Sequence, residues 1–80
     1  MRLRVKPVRD ALHPSEIVVS VETADGKAEQ MVVHRRTVSE NSLEIGYPIS
    51  EQSHSYLVEL PRETTTGAWR VWVPSSLVSA

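Results

Sequence analysis

Residues 56–78 read YLVELPRETTTGAWRVWVPSSLV, and they carry the fold assignment. Tyr56, Val58 and Leu60 alternate with Leu57 and Glu59, the period of a strand with one apolar face. After Pro61, the stretch Arg62–Gly67 is rich in Thr and ends in Gly, which suits a loop. Alternation then resumes, with Trp69, Val71 and Val73 on one side and Arg70 and Trp72 on the other. Pro74 ends the strand, because proline has no N–H to give to a ladder. The segment therefore predicts a hairpin of two half-buried strands followed by a tight Pro-Ser-Ser-Leu-Val corner.

Reading outward, the rest of the chain follows the same pattern. Ile17–Thr23 and Lys27–Arg36 flank Ala24-Asp25-Gly26, a strong hairpin signal. A two-residue turn would set Glu22 opposite Glu29, placing like charges face to face. A three-residue loop with Gly26 left-handed instead pairs Ile17 with Val33, Val19 with Met31, Val18 with Val32 and Glu16 with His34. Cross-strand pairing favours the second register. Leu3 and Val5 alternate with Arg2, Arg4 and Lys6 in a first strand that Pro7 ends or places at an edge. Arg9–Ser15 and Thr37–Ser42 read as connections. Leu43, Ile45, Tyr47 and Ile49 predict one apolar face of a further strand, kinked or exposed at an edge near Gly46 and Pro48, with Ser50–Ser55 as a turn. Six short strands with almost no helix predict an all-β domain, a small barrel or roll. No internal repeat is expected.

The run Val71-Trp72-Val73-Pro74-Ser75-Ser76-Leu77-Val78 resembles the end of SH3-like barrels. There, an apolar strand meets a single tight helical turn and then a final short strand. The resemblance covers about ten residues and implies an SH3-like fold; the Ala-Leu-Tyr-Asp-Tyr type motif of peptide-binding SH3 domains is missing. Tyr56-Leu57-Val58-Glu59 and the strand before Pro74 are also similar to the last hairpin of type II dihydrofolate reductases. That family's Val-Gln-Ile-Tyr motif is replaced here by Arg70-Val71-Trp72-Val73. Without the Gln and the Tyr, the activity does not carry over.

Eighty residues make one domain, 1–80, with a core small enough that oligomerisation would help it. There is no cysteine, hence no disulfide and no thiolate metal site. The N-terminus lacks the apolar stretch of a signal peptide, and no apolar run is long enough to cross a bilayer, so a cytoplasmic protein is expected. His13, His34 and His54 show no metal-ligand spacing. Gly26, Gly46 and Gly67 are isolated, so no glycine-rich loop can cradle a phosphate. No nucleophile–base pair is visible, and neither a catalytic residue, a metal nor a cofactor is expected.

Charge is unevenly spread. Arg2, Arg4, Lys6 and Arg9 open the chain without an acid, while the remainder holds five bases and ten acids. The leading expectation is a non-catalytic protein-interaction or assembly module, a homodimer in one form, that binds through an exposed sheet face. Trp72 and Arg70, with Val18 and Val32, are its candidate contact residues, since aromatic residues and Arg concentrate at interface hot spots. The alternative is a nucleic-acid or anion binder using Arg2, Arg4, Lys6, Arg35 and Arg36. Against it stands the placement of Tyr47, Tyr56 and Trp69 on core faces, which leaves few aromatics to stack on bases. A third reading is a small enzyme subunit whose site forms between chains.

Overall fold

The computed structural model describes all eighty residues, Met1–Ala80. The elements are β1 (Arg2–Arg4), β2 (Lys6–Asp10), β3 (Glu16–Glu22), β4 (Ala28–His34), a 3₁₀ turn (Arg35–Thr37), β5 (Val38–Ser39), β6 (Ser42–Glu44), β7 (Ser50–Gln52), β8 (Ser55–Glu59), β9 (Arg70–Pro74), a second 3₁₀ turn (Ser75–Leu77) and β10 (Val78–Ser79). The chain is all-β, and every ladder is antiparallel. The strands form three small sheets, ordered β10-β1-β6-β5, β2-β3-β4 and β7-β8-β9, rather than one closed barrel.

Ten short strands replace the six expected. Lys6–Asp10 pairs with β3 across a bulge between Pro7 and Arg9, so Arg9 and Asp10 belong to a strand and not to a connection. Thr37–Ser42 contains β5, and Ser50–Gln52 is a strand, not a turn. The long first hairpin has the register that charge pairing selected: Glu16 faces His34, Val18 faces Val32 and Glu22 faces Ala28. Gly26 has φ +84°, the left-handed conformation that the three-residue loop requires.

The expectation of no internal repeat is overturned. Arg2–Arg4 and Ser42–Glu44, Arg35–Thr37 and Ser75–Leu77, and Val38–Ser39 and Val78–Ser79 stand forty residues apart. Each half runs strand, strand, hairpin, 3₁₀ turn, short strand. In the central sheet Leu3 faces Leu43, so a local pseudo-twofold passes through that pair. The hydrogen bonds obey it. Val5 N–H donates to the Asn41 carbonyl at 2.8 Å, and Ile45 N–H donates to the Met1 carbonyl at 2.8 Å. Each half lends its last strand to the other: β10 pairs with β1, and β5 with β6. Ser39 and Ser42 close the latter pair through Glu40 and Asn41, both at positive φ (51° and 58°), the geometry of a two-residue hairpin turn.

The hairpins repeat as well. Gly26 N–H donates to the Thr23 carbonyl and Thr23 N–H to that of Lys27; Gly67 N–H donates to Thr64 and Thr64 N–H to Ala68. Each hairpin tip then caps the open edge of the other half's sheet. Ala24 N–H donates to the Trp72 carbonyl on β9, and Thr65 N–H donates to the Gln30 carbonyl on β4, both at 2.8 Å. Capping matters because β4 and β9 are edge strands, whose unpaired groups would otherwise invite another chain.

The core has the same symmetry. Its twelve buried side chains are Leu3, Val5, Val19, Val21, Met31 and Val33 from one half, and Leu43, Ile45, Val58, Leu60, Val71 and Val73 from the other. These are the inward positions of the pleat, so alternation found them. It also over-reached. Tyr47 (85 % exposed), Ile49 (48 %) and Trp69 (53 %) are not in the core. Trp69 precedes β9, and its equivalent in the first half is Glu29, also at the end of an inward row; the core stops one inward position short of them, at Val71 and Met31.

Candidate functional site

The four candidate contact residues divide between two places that are equivalent by the repeat. Val18 faces Val32 on the outer side of the first hairpin, and Leu57 faces Trp72 on the outer side of the second. Val18 is buried (4 % exposed), while Val32 and Trp72 are half-buried. Arg70 is exposed and its Nε lies 3.2 Å from Glu59 Oε2. Arg70 and Trp72 line a groove with the first hairpin tip, Thr23–Asp25; Val32 lines another groove with the second tip and Trp69. These residues therefore do not share one surface, and Trp72 is partly occupied with holding the first tip.

The tips are polar clasps. Thr23 Oγ1 donates to Asp25. That bond and the Lys27 N–H hold the Asp25 carboxyl below its ordinary pKa. In the second tip the hydroxyls turn outward to the other half: Thr66 and Thr64 donate to Glu29 Oε1 at 2.5 and 2.7 Å. Those two hydroxyls, Thr66 first, lower the Glu29 carboxyl from its ordinary value. The Thr64–Thr66 run is thus a strap between halves, and Thr64 is the one buried polar residue of the chain.

A different surface comes into view, apolar at its centre and charged at its rim. Tyr47, Ile49 and Pro61 line one groove with Glu44 and Glu59; Pro61, Trp69 and Val32 line the next with Arg62 and Glu63, and the buried Leu60 and Met31 lie beneath. Pro61 joins the two. The Leu60 N–H donates to the Trp69 carbonyl at 2.8 Å, which brings the aromatic ring alongside. Sequence reasoning missed this edge because it assigned Tyr47 and Trp69 to the core by alternation alone. Gly46 and Pro48 already mark a kink or edge around Tyr47, and Gly67 two residues before Trp69 is the signal left unused; such residues end ladders.

The five candidate anion-binding residues are also split. Arg4 and Lys6 line a cleft of about 740 Å³ with Lys27, where Glu22 and Glu40 offset them. Arg35 is engaged, with its Nη2 2.8 Å from Asp10 Oδ1. Arg2 and Arg36 share a second cleft with His34 and Arg62. The pairing of His34 with Glu16 is a backbone register, and the ion partner of Glu16 is Arg62, at 3.3 Å. No cluster of three or more His, Asp or Glu side chains could hold a metal ion. His13 Nδ1 accepts from the Ser15 N–H at 3.2 Å. No helix is long and apolar enough to cross a membrane.

No protein-family model matches the chain. No curated protein and no solved structure matches it either.

Proposed function

We propose that this chain is a non-catalytic assembly module that self-associates through the apolar edge around Pro61. The observation that carries the reading is the exposure of Tyr47, Ile49 and Trp69 beside Pro61 and Val32. Aromatic side chains in well-packed contacts are the usual source of interface energy. The internal repeat adds a geometric argument. The first half carries Glu29 where the second carries Trp69, so the edge occurs once per chain. One self-complementary patch per chain closes into a twofold pair and leaves no further edge for growth. The partner fitted to this edge is therefore a second copy. A cytoplasmic setting belongs to the same proposal.

The SH3-like expectation enters only locally. The corner of strand, 3₁₀ turn and short strand occurs twice, after β4 and after β9. As a frame it leaves the outer loops and edges free for binding, and it does not itself name a ligand. The polyanion alternative is less well supported, because its basic residues are divided among separate places instead of forming a track.

Sedimentation over a wide concentration range tests the proposal. A monomer–dimer equilibrium is expected, and Trp69→Ala is expected to weaken it by about 2 kcal/mol or more. A protein that stays monomeric at every concentration, or a dimer indifferent to Trp69→Ala and Tyr47→Ala, overturns it.

A further inference from the structure

A cleft of about 490 Å³ lies where β1, β6, the corner after β4 and the loop after β8 meet. Arg2, His34, Arg36 and Arg62 line it, and Glu44 is its one carboxylate. Even with Glu16 counted against Arg62, a surplus of positive charge remains. The chain as a whole is net negative, so this is a local choice.

The guanidiniums are held but not used up. Arg2 donates from Nε to Ser42 Oγ at 2.9 Å and from Nη2 to the Ser42 carbonyl at 3.0 Å, which fixes the fork and leaves Nη1 free. Arg62 meets Glu16 through Nη1. Arg36 takes part in no ion pair. His34 adds an independent observation: its Nδ1 is buried and has no hydrogen-bond partner. Buried polar atoms are rarely left so. With Nδ1 buried and unpaired, Nε2 is the ring nitrogen left to meet a ligand.

The 3₁₀ corner does not require His34 or Arg36, and the chain contains its own comparison. Forty residues on, Arg2 is matched by Ser42, His34 by Pro74 and Arg36 by Ser76. The second corner makes the same 3₁₀ turn with Ser75-Ser76-Leu77 that the first makes with Arg35-Arg36-Thr37. The corner forms without them, yet His34 and Arg36 line one cleft with Arg2 and Arg62.

We propose that this cleft binds a phosphate-type oxyanion, gripped by Arg36 and the spare edges of Arg2 and Arg62, with His34 donating. Arg is suited to this because its planar fork matches two oxygens of one phosphate group. The proposal does not rest on self-association, but the cleft shares Glu44, Pro61 and Arg62 with the grooves of that edge, so its test is run at concentrations where the chain is monomeric.

Amide NMR titration with inorganic phosphate at constant ionic strength provides the test, with phenyl phosphate as a second arm and chloride as the blank. Saturable shifts at His34–Thr37, Glu44 and Arg62 are expected with phosphate and not with chloride. Arg36→Ser, which borrows the residue of the second corner, is expected to weaken binding by about tenfold or more with the spectrum otherwise preserved. Arg4→Ser, in the other cleft, is expected to leave binding unchanged. Tighter binding of phenyl phosphate marks the ligand as the end group of a larger molecule, and tighter binding of inorganic phosphate marks it as the free ion. Shifts that never saturate, that chloride reproduces, that survive Arg36→Ser, or that centre on Arg4, Lys6 and Lys27 overturn the proposal.

Discussion

Trp69→Ala separates the observed placement of this residue from the one that alternation predicts. A tryptophan in the core of an eighty-residue chain would be indispensable, since its loss costs roughly 3–5 kcal/mol. Trp69 is instead 53 % exposed. A large aromatic side chain covers roughly 200 Å². Slightly under half of that is out of water, about 100 Å², or about 2.5 kcal/mol at 25 cal/mol per Å². Residual compactness of the unfolded chain makes this an upper bound. The expected destabilisation is therefore below about 2.5 kcal/mol, and at 4–8 °C per kcal/mol the melting temperature falls by less than roughly 20 °C. Leu43→Ala is the internal standard: Leu43 is 1 % exposed and faces Leu3 on the pseudo-twofold, so about 2–5 kcal/mol is expected. Urea melts of both variants should be run at concentrations where the chain is monomeric, so that self-association does not add to the difference. If Trp69→Ala loses as much as Leu43→Ala, or leaves no folded monomer, Trp69 belongs to the core and the binding edge is misplaced.

Gly26 and Gly67 sit at φ +84° and +90°, and neither would bring a Cβ into a clash, so Gly→Ala at either should cost about 1–2 kcal/mol from backbone conformation alone. Chemical denaturation should find the two costs similar; a neutral effect at one would break the equivalence of the hairpins. Glu29 has its pKa lowered by folding, so its contribution is present above the ordinary value of 4.5 and is lost as pH falls below it. Glu29→Gln should flatten the acid limb of a stability–pH curve, and an unchanged limb would remove the Thr64–Thr66 strap from the account. Arg70→Ala should change stability by less than about 0.5 kcal/mol, because both partners of the Arg70–Glu59 pair are more than half exposed. A larger loss in thermal melts would mean that Arg70 is packing and not only pairing.

Much of the architecture was legible because a strand needs only a period of two. That period identified the inward faces of β3, β4, β8 and β9, and the cost of opposing Glu22 to Glu29 selected the hairpin register. It could not say where a row of inward side chains runs out of core. That boundary is set by the other half of the molecule, which is why Tyr47 and Trp69 were misassigned. The repeat was hidden for a similar reason. A β core tolerates any apolar residue of suitable volume, so Val5 and Ile45, or Met31 and Val71, can be equivalent without being alike. Unequal loops obscured it further: the Thr23 and Thr64 turns are offset by forty-one residues, but the corners by forty. The clefts were less legible still. Arg2 and Arg36 looked like parts of two separate basic runs, and only the pairing of β1 with β6 brings them to the same cleft.

The exchange of last strands has a consequence for how the chain could be cut and rejoined. Ser79 lies opposite Arg2 as Ser39 lies opposite Ser42. Ala80 and Met1 therefore stand where a turn equivalent to Glu40-Asn41 would be. A peptide bond between them, with the chain opened between residues 40 and 41, would yield a circular permutant with the same ladders. The loop closures of the two central hairpins would simply change places, one becoming local as the other becomes distant, so their summed entropic cost would stay nearly constant. By this geometry residues 1–80 trace a ring with two equivalent seams, and residues 40 and 41 are joined at one of them.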